Sequence, residues 1–124
     1  MGADQIAELA PAILEVASAA ADEAWCATFT INGDDAVWVQ VTRHEINFSY
    51  PFEVDPSQWL TALEVEGADV LELLVWEPRR YATLAGVDEL TPKVVARVVD
   101  AIVTGILDAP TGYTLGVELM CLDG

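Results

Sequence analysis

Positive charge is scarce in this chain. Five lysines and arginines face twenty-one aspartates and glutamates in 124 residues, a formal net charge of −16 at pH 7. Such a surface repels phosphate backbones and anionic lipid, so no nucleic acid and no membrane are expected as partners. Histidine is scarcer still, with His44 alone. Without a second histidine, HExxH and three-histidine zinc sites cannot be assembled. Cys26 and Cys121 lie too far apart in sequence for a CxxC pair, a structural zinc set or a disulfide framework, and read as reduced, core-like thiols. GxGxxG, GxxxxGK[ST] and GxSxG are all absent, and Gly33, Gly67, Gly86 and Gly112 read as turn punctuation. No apolar run approaches the ~20 residues that span a bilayer. Met1 to Glu15 lacks a basic n-region, so a cytoplasmic location is expected.

Apolar residues are plentiful. The chain is 53% hydrophobic with four tryptophans, and Val, Leu and Ile run from end to end, which separates it from acidic solvating tails. At 13.4 kDa, residues 1–124 fit one domain with roughly 6,500 Å² of folded surface and about two thirds of the unfolded surface buried. Uncompensated repulsion costs stability at low salt, so added salt is expected to stabilise the fold.

Periodicity divides the chain into elements. Ile6, Leu9, Ala10, Ile13, Leu14, Ala17, Ala20, Ala21 and Ala24 keep helical spacing over Ala3 to Ala24, with Pro11 as a kink or the end of a loose first turn. From Cys26 the period drops to two. Ala27, Phe29 and Ile31 form a half-buried strand, Asn32-Gly33 supplies a hairpin turn, and Val37 to Thr42 forms the second strand. Arg43-His44 turns the chain into a third, whose Ile46, Phe48, Tyr50 and Phe52 share one face. Asp55-Pro56 starts a short helix ending by Gly67. The apolar run Val70 to Trp76 predicts a central strand covered on both faces, and Tyr81 to Leu84 a short edge strand. Thr91-Pro92 opens a helix to Leu107 whose apolar stripe is wide enough for burial on more than one side or in an oligomer. Alternation from Tyr113 to Leu122 predicts a last strand.

The expected fold is therefore α+β. An antiparallel sheet carries an N-terminal helix, a short middle helix and a long C-terminal helix, in the order α-β-β-β-α-β-(β)-α-β.

Little in this pattern carries chemistry. His44 sits in a turn, where a solvated imidazole outweighs a general base. Asp34-Asp35 at a hairpin tip offers too few converging oxygens for Ca²⁺, and Glu64, Glu66 and Asp69 read as a solvated acidic loop. With no catalytic residues selected and neither metal nor cofactor expected, the candidate site is a partner-binding one. Arg79 and Arg80 follow Trp76 directly and either grip an acidic segment beside an aromatic ring or neutralise neighbouring carboxylates. Trp38 and Gln40 lie on the strand face opposite the valines, open to a partner if helices cover one side only.

The amphipathic opening helix, the strand Val37-Trp38-Val39-Gln40-Val41 and the helix from Pro92 to Leu107 together resemble the type III secretion chaperone-like fold, including the YbjN-like and actinobacterial chaperone-like groups. The chain departs from the secretion-chaperone order by ending in a strand, Tyr113 to Leu122, instead of a helix. The resemblance implies a small, acidic, dimeric, non-enzymatic binder that holds a protein segment. The leading expectation is a chaperone-like or immunity-like protein-binding module with a basic partner, acting as a homodimer. A nucleic-acid mimic would instead display a regular carboxylate stripe, and an enzyme or small-ligand protein a concave pocket with converging polar groups.

Overall fold

Residues 9, 11–16, 25–61, 70–107 and 113–121 are described by the computed structural model. Within them lie β1 (Trp25–Ile31), β2 (Asp34–Val41), β3 (Glu45–Ser49), β4 (Glu72–Glu77), β5 (Tyr81–Ala85) and β6 (Leu115–Cys121). All five pairings are antiparallel and give one sheet in the order β4-β5-β3-β2-β1-β6. Residues 11–16 form helix α1, Ser57–Thr61 helix α2 and Pro92–Ala101 helix α3, confirming the α+β expectation.

Local chemistry accounts for the turns and starts. Asn32 and Gly33 both take positive φ, 53° and 70°, as a two-residue hairpin turn between β1 and β2 requires. Thr91 caps α3 by accepting the Val94 amide at 3.3 Å, and Pro92 follows at the first helical position. At its C-terminal end α3 widens into a π-helical turn, Ile102–Ile106, closed by the Leu107 amide on the Ile102 carbonyl at 3.0 Å.

Register explains the core. Val117, Phe29, Val39, Phe48, Ala82 and Trp76 line up across all six strands on one face, and Leu119, Ala27, Val41, Ile46, Leu84 and Leu73 form the neighbouring row. Over the centre of these rows pack Leu9, Ile13 and Val16 from the N-terminal helical segment, with Val95, Val98, Val99, Ile102, Val103 and Ile106 from α3 and its continuation. Each such buried aliphatic contributes roughly 1.5–3 kcal/mol of transfer free energy. The described helices pack on this face; on the other, Cys26, Ser49 and Thr83 are buried and the remaining strand side chains are half-buried or exposed. There the row reads Glu118, Thr28, Gln40, Asn47, Thr83 and Val75. The accessible area of 6747 Å² matches the size expectation, and the wide stripe of α3 is buried within one chain.

Two strands exchange the places predicted for them. The Val70 to Trp76 run is the outer strand β4, whereas β5, expected at an edge, lies between β4 and β3 with Ala82, Thr83 and Leu84 buried. The apolar run reads as continuous because of a bulge between Leu73 and Val75. Leu74 is an extra residue, so the continuous apolar run reflects an interrupted alternation and not two buried faces. The third strand is also shorter than predicted. Tyr50 and Phe52 continue past β3 only through bonds from the Tyr50 amide to the Arg80 carbonyl (3.3 Å) and from the Arg79 amide to the Phe52 carbonyl (3.0 Å). The remainder of the Ala3 to Ala24 helix, and the middle helix from residue 62 to Gly67 with Glu64, Glu66 and Asp69, lie outside the described residues.

Candidate protein-interaction site

Trp38 and Gln40 lie on the face of β2 opposite the described helices, half-buried among polar neighbours. The Gln40 amide nitrogen donates to the Thr28 hydroxyl at 3.5 Å, and Thr83 Oγ1 donates to Asn47 Oδ1 at 2.6 Å. Beside Trp38 the ladder is completed by a side chain. Ser49 Oγ accepts the Trp38 amide at 3.0 Å and donates to the Trp38 carbonyl at 3.3 Å. Cys26 also belongs to this face, 3.9 Å from the Thr28 hydroxyl, and burial pushes its thiol pKa above the ordinary value.

Trp76 is directed to the opposite face and does not join Trp38. Its ring meets Tyr50 edge-on at 5.9 Å, Tyr50 meets Phe52 at 5.8 Å, and Phe52 stacks on Trp59 of α2 at 5.0 Å. The Tyr50 hydroxyl donates to the Val54 carbonyl. Burial raises the Tyr50 pKa, and the Asp55 charge adds to it. Among the described residues, Trp59 Nε1 is buried without a partner in hydrogen-bond geometry.

Arg79 and Arg80 occupy the β4–β5 turn, where Pro78 and the positive φ of Arg79 (59°) match a type II turn closed by the Arg80 amide on the Glu77 carbonyl at 3.1 Å. Both guanidinium groups meet carboxylates, Arg79 with Glu53 at 3.2 Å and Arg80 with Glu77 at 3.5 Å, in exposed pairs. Each arginine thus has a carboxylate of its own chain within reach, while both side chains stay exposed. The five proposed binding residues thus divide into a pair on the face opposite the described helices, a half-buried aromatic against the core and an ion-paired turn.

His44 is exposed, with Nδ1 3.7 Å from Asp88 Oδ2. Near it a groove of about 200 Å³ has an apolar floor that includes Ile13, Val41 and Val95, with Arg43 and Asp88 among its lining residues. A second groove of about 210 Å³ lies between Val37, Tyr50, Arg80 and Leu107. Both are smaller than the roughly 300–1,000 Å³ of sites that enclose drug-sized ligands. Among the described residues, no three His, Cys, Asp or Glu side chains are grouped as metal ligands.

The residues that sequence reasoning passed over are those of the sheet edges. Of the large apolar side chains exposed among the described residues, Leu74 (55%) and Val75 (46%) lie on β4, while Val117 (48%), Leu119 (41%) and Met120 (48%) lie on β6; Leu14 and Val54 are elsewhere. Val117 and Leu119 continue the core rows but are exposed, beyond the cover of the described helices. The available signal was negative. Leu115–Cys121 contains no lysine or proline of the kind that guards an edge.

Among known proteins, no family model, curated protein or solved structure matches the chain.

Proposed function

We propose that this chain is a non-enzymatic protein-binding module, chaperone-like or immunity-like, whose negative potential draws in a basic partner. The observation that carries this reading is the concentration of exposed apolar side chains on the outer strands of a sheet in a protein of net charge −16. Apolar contact supplies affinity, and the field supplies encounter rate and discrimination against acidic competitors. The carboxylates of the open face are dispersed, with Glu118 at one side and Glu45, Glu72 and Glu77 toward the other, a pattern that favours a binder over a nucleic-acid mimic.

The test uses the immobilised chain with lysate of its source cells, washed at low and high salt, followed by rebinding of the purified retained protein. The expected result is a basic protein held at low salt and released at high salt. Retention of nothing at either salt overturns the reading.

A further inference from the structure

We propose that the free edge of β6 receives an extended segment of a basic partner as an added strand, with lysine or arginine opposite Glu118 and apolar residues beside Val117 and Leu119. This rests on the binding reading above and specifies where, and in what conformation, the basic partner is held.

Hydrogen-bond alternation sets the geometry. The Asn32 amide donates to the Thr114 carbonyl at 2.9 Å, which fixes that pair as a bonded one. In an antiparallel ladder bonded and non-bonded pairs alternate, so Gly116, Glu118 and Met120 bond inward to β1. The amides and carbonyls of Leu115, Val117, Leu119 and Cys121 then point away from the sheet. Among the described residues β6 has no other strand neighbour, and the 7 residues of β6 match β1 without a register shift. An unbroken row of outward donors and acceptors is a template for an incoming strand.

Side chains select what arrives. Glu118 is exposed at the middle of β6, and no basic residue occurs in either β6 or β1. An antiparallel strand paired with this edge meets Glu118 in a non-bonded pair, where opposed side chains approach most closely. A cation is favoured there and a carboxylate disfavoured. A second copy in full overlap sets Glu118 against Glu118 and brings two chains of −16 together. Val117 and Leu119 point to the face shared with the core, so the residues flanking the cation are apolar. The fitting segment alternates apolar and basic residues.

The experiment is fluorescence anisotropy of the full chain with a labelled nine-residue peptide in which valine alternates with lysine. Saturable binding is expected, weakened at least tenfold by Glu118→Lys and by Leu119→Lys, both exposed positions whose variants are checked for folding by circular dichroism. In the proposed register the valine amides face β6 and the lysine amides face away. Methylating the valine amides should therefore abolish binding, while methylating the lysine amides is tolerated. Salt-sensitive binding that is indifferent to the edge variants and to which amides are methylated overturns the β6 site and leaves the basic-partner reading standing. No peptide binding, while the lysate experiment still yields a basic protein, does the same. Failure of both removes the reading as well. A homodimer in sedimentation equilibrium that Leu119→Lys dissociates places a second copy on the edge and overturns the proposal.

Discussion

The outer strands β4 and β6 expose similar apolar side chains, yet they are built on opposite plans. β4 is one arm of a local hairpin with β5, its ladder interrupted at Leu74, and its inward Trp76 joins an aromatic cluster with Tyr50, Phe52 and Trp59. β6 comes from far along the chain, pairs with β1 without interruption, and carries Val117 and Leu119 exposed beyond the described helices. Exposed apolar area alone does not define a docking edge. A bulge breaks the spacing of backbone donors and acceptors that an added strand needs, so β4 displays grease without a template and β6 displays both.

The comparison is sharpest at two glycines. Gly86, with φ 103°, leads from β5 beneath the chain that enters β4, and a Cβ there would lie 2.7 Å from the Val70 carbonyl oxygen. Neither backbone strain nor a backbone clash can be relieved by a side-chain shift, so Gly86→Ala should cost about 3 kcal/mol in urea unfolding. Gly116 lies in β6, where the nearest atom to an added Cβ is Thr30 Cβ at an ordinary 3.6 Å. Gly116→Ala should be neutral or stabilise by about 0.5 kcal/mol, because glycine weakens a strand interior. Equal costs at the two positions would break the contrast between a closely supported β4 and an accessible β6.

A smaller effect tests how β6 is anchored. The Tyr113 hydroxyl, just before β6, donates to Asp100 Oδ1 of α3 at 2.8 Å, and the Thr114 amide donates to Asn32 Oδ1 at 2.8 Å. Tyr113→Phe keeps the buried ring and removes one hydrogen bond to a carboxylate, an expected loss of about 2 kcal/mol. Hydrogen exchange should quicken at the Gly116, Glu118 and Met120 amides before those of β2 and β3. Uniform acceleration through the sheet would mean that β6 has no separate anchor.

Much of this architecture was legible in the residues. Asn32-Gly33 and Thr91-Pro92 specify a turn and a helix start by local stereochemistry, and the alternation of β1, β2 and β3 fixes which side chains face the helices. The order of β4 and β5 was not legible, because a bulge and a two-sided burial both write a continuous apolar run. The site was less legible still. Trp76 and the arginine pair share a stretch of sequence, but pleating sends Trp76 to the core while Glu53 and Glu77 engage the arginines. The alternation of Leu115, Val117 and Leu119 announces an apolar face. Whether helices extend far enough to cover it depends on where the strand falls in the sheet, which no local pattern encodes.

The smallest expected effect concerns pH and belongs to the β4 side. Asp55 accepts the Ser57 amide at 2.8 Å at the start of α2, and this bond, with one to the Ser57 side chain, lowers its pKa below the ordinary value. α2 carries Trp59, which stacks on Phe52, and Phe52 accepts the Arg79 amide of the β4–β5 turn. Because the folded value is depressed, the contribution of Asp55 is complete above the unfolded aspartate value. It is lost as pH falls through the lower folded one, in a window below about pH 4. Acidification also relieves repulsion across the whole acidic surface, so global stability mixes two opposing trends. Asp55→Asn separates them, since asparagine caps about as well and does not titrate. The variant and the parent should exchange α2 and β4–β5 amides alike at pH 6. As the pH falls below about 4, the parent alone should lose protection there, with no difference between them along β1 and β6. A variant that diverges from the parent equally at both edges would show that the aromatic cluster is not confined in its support to β4.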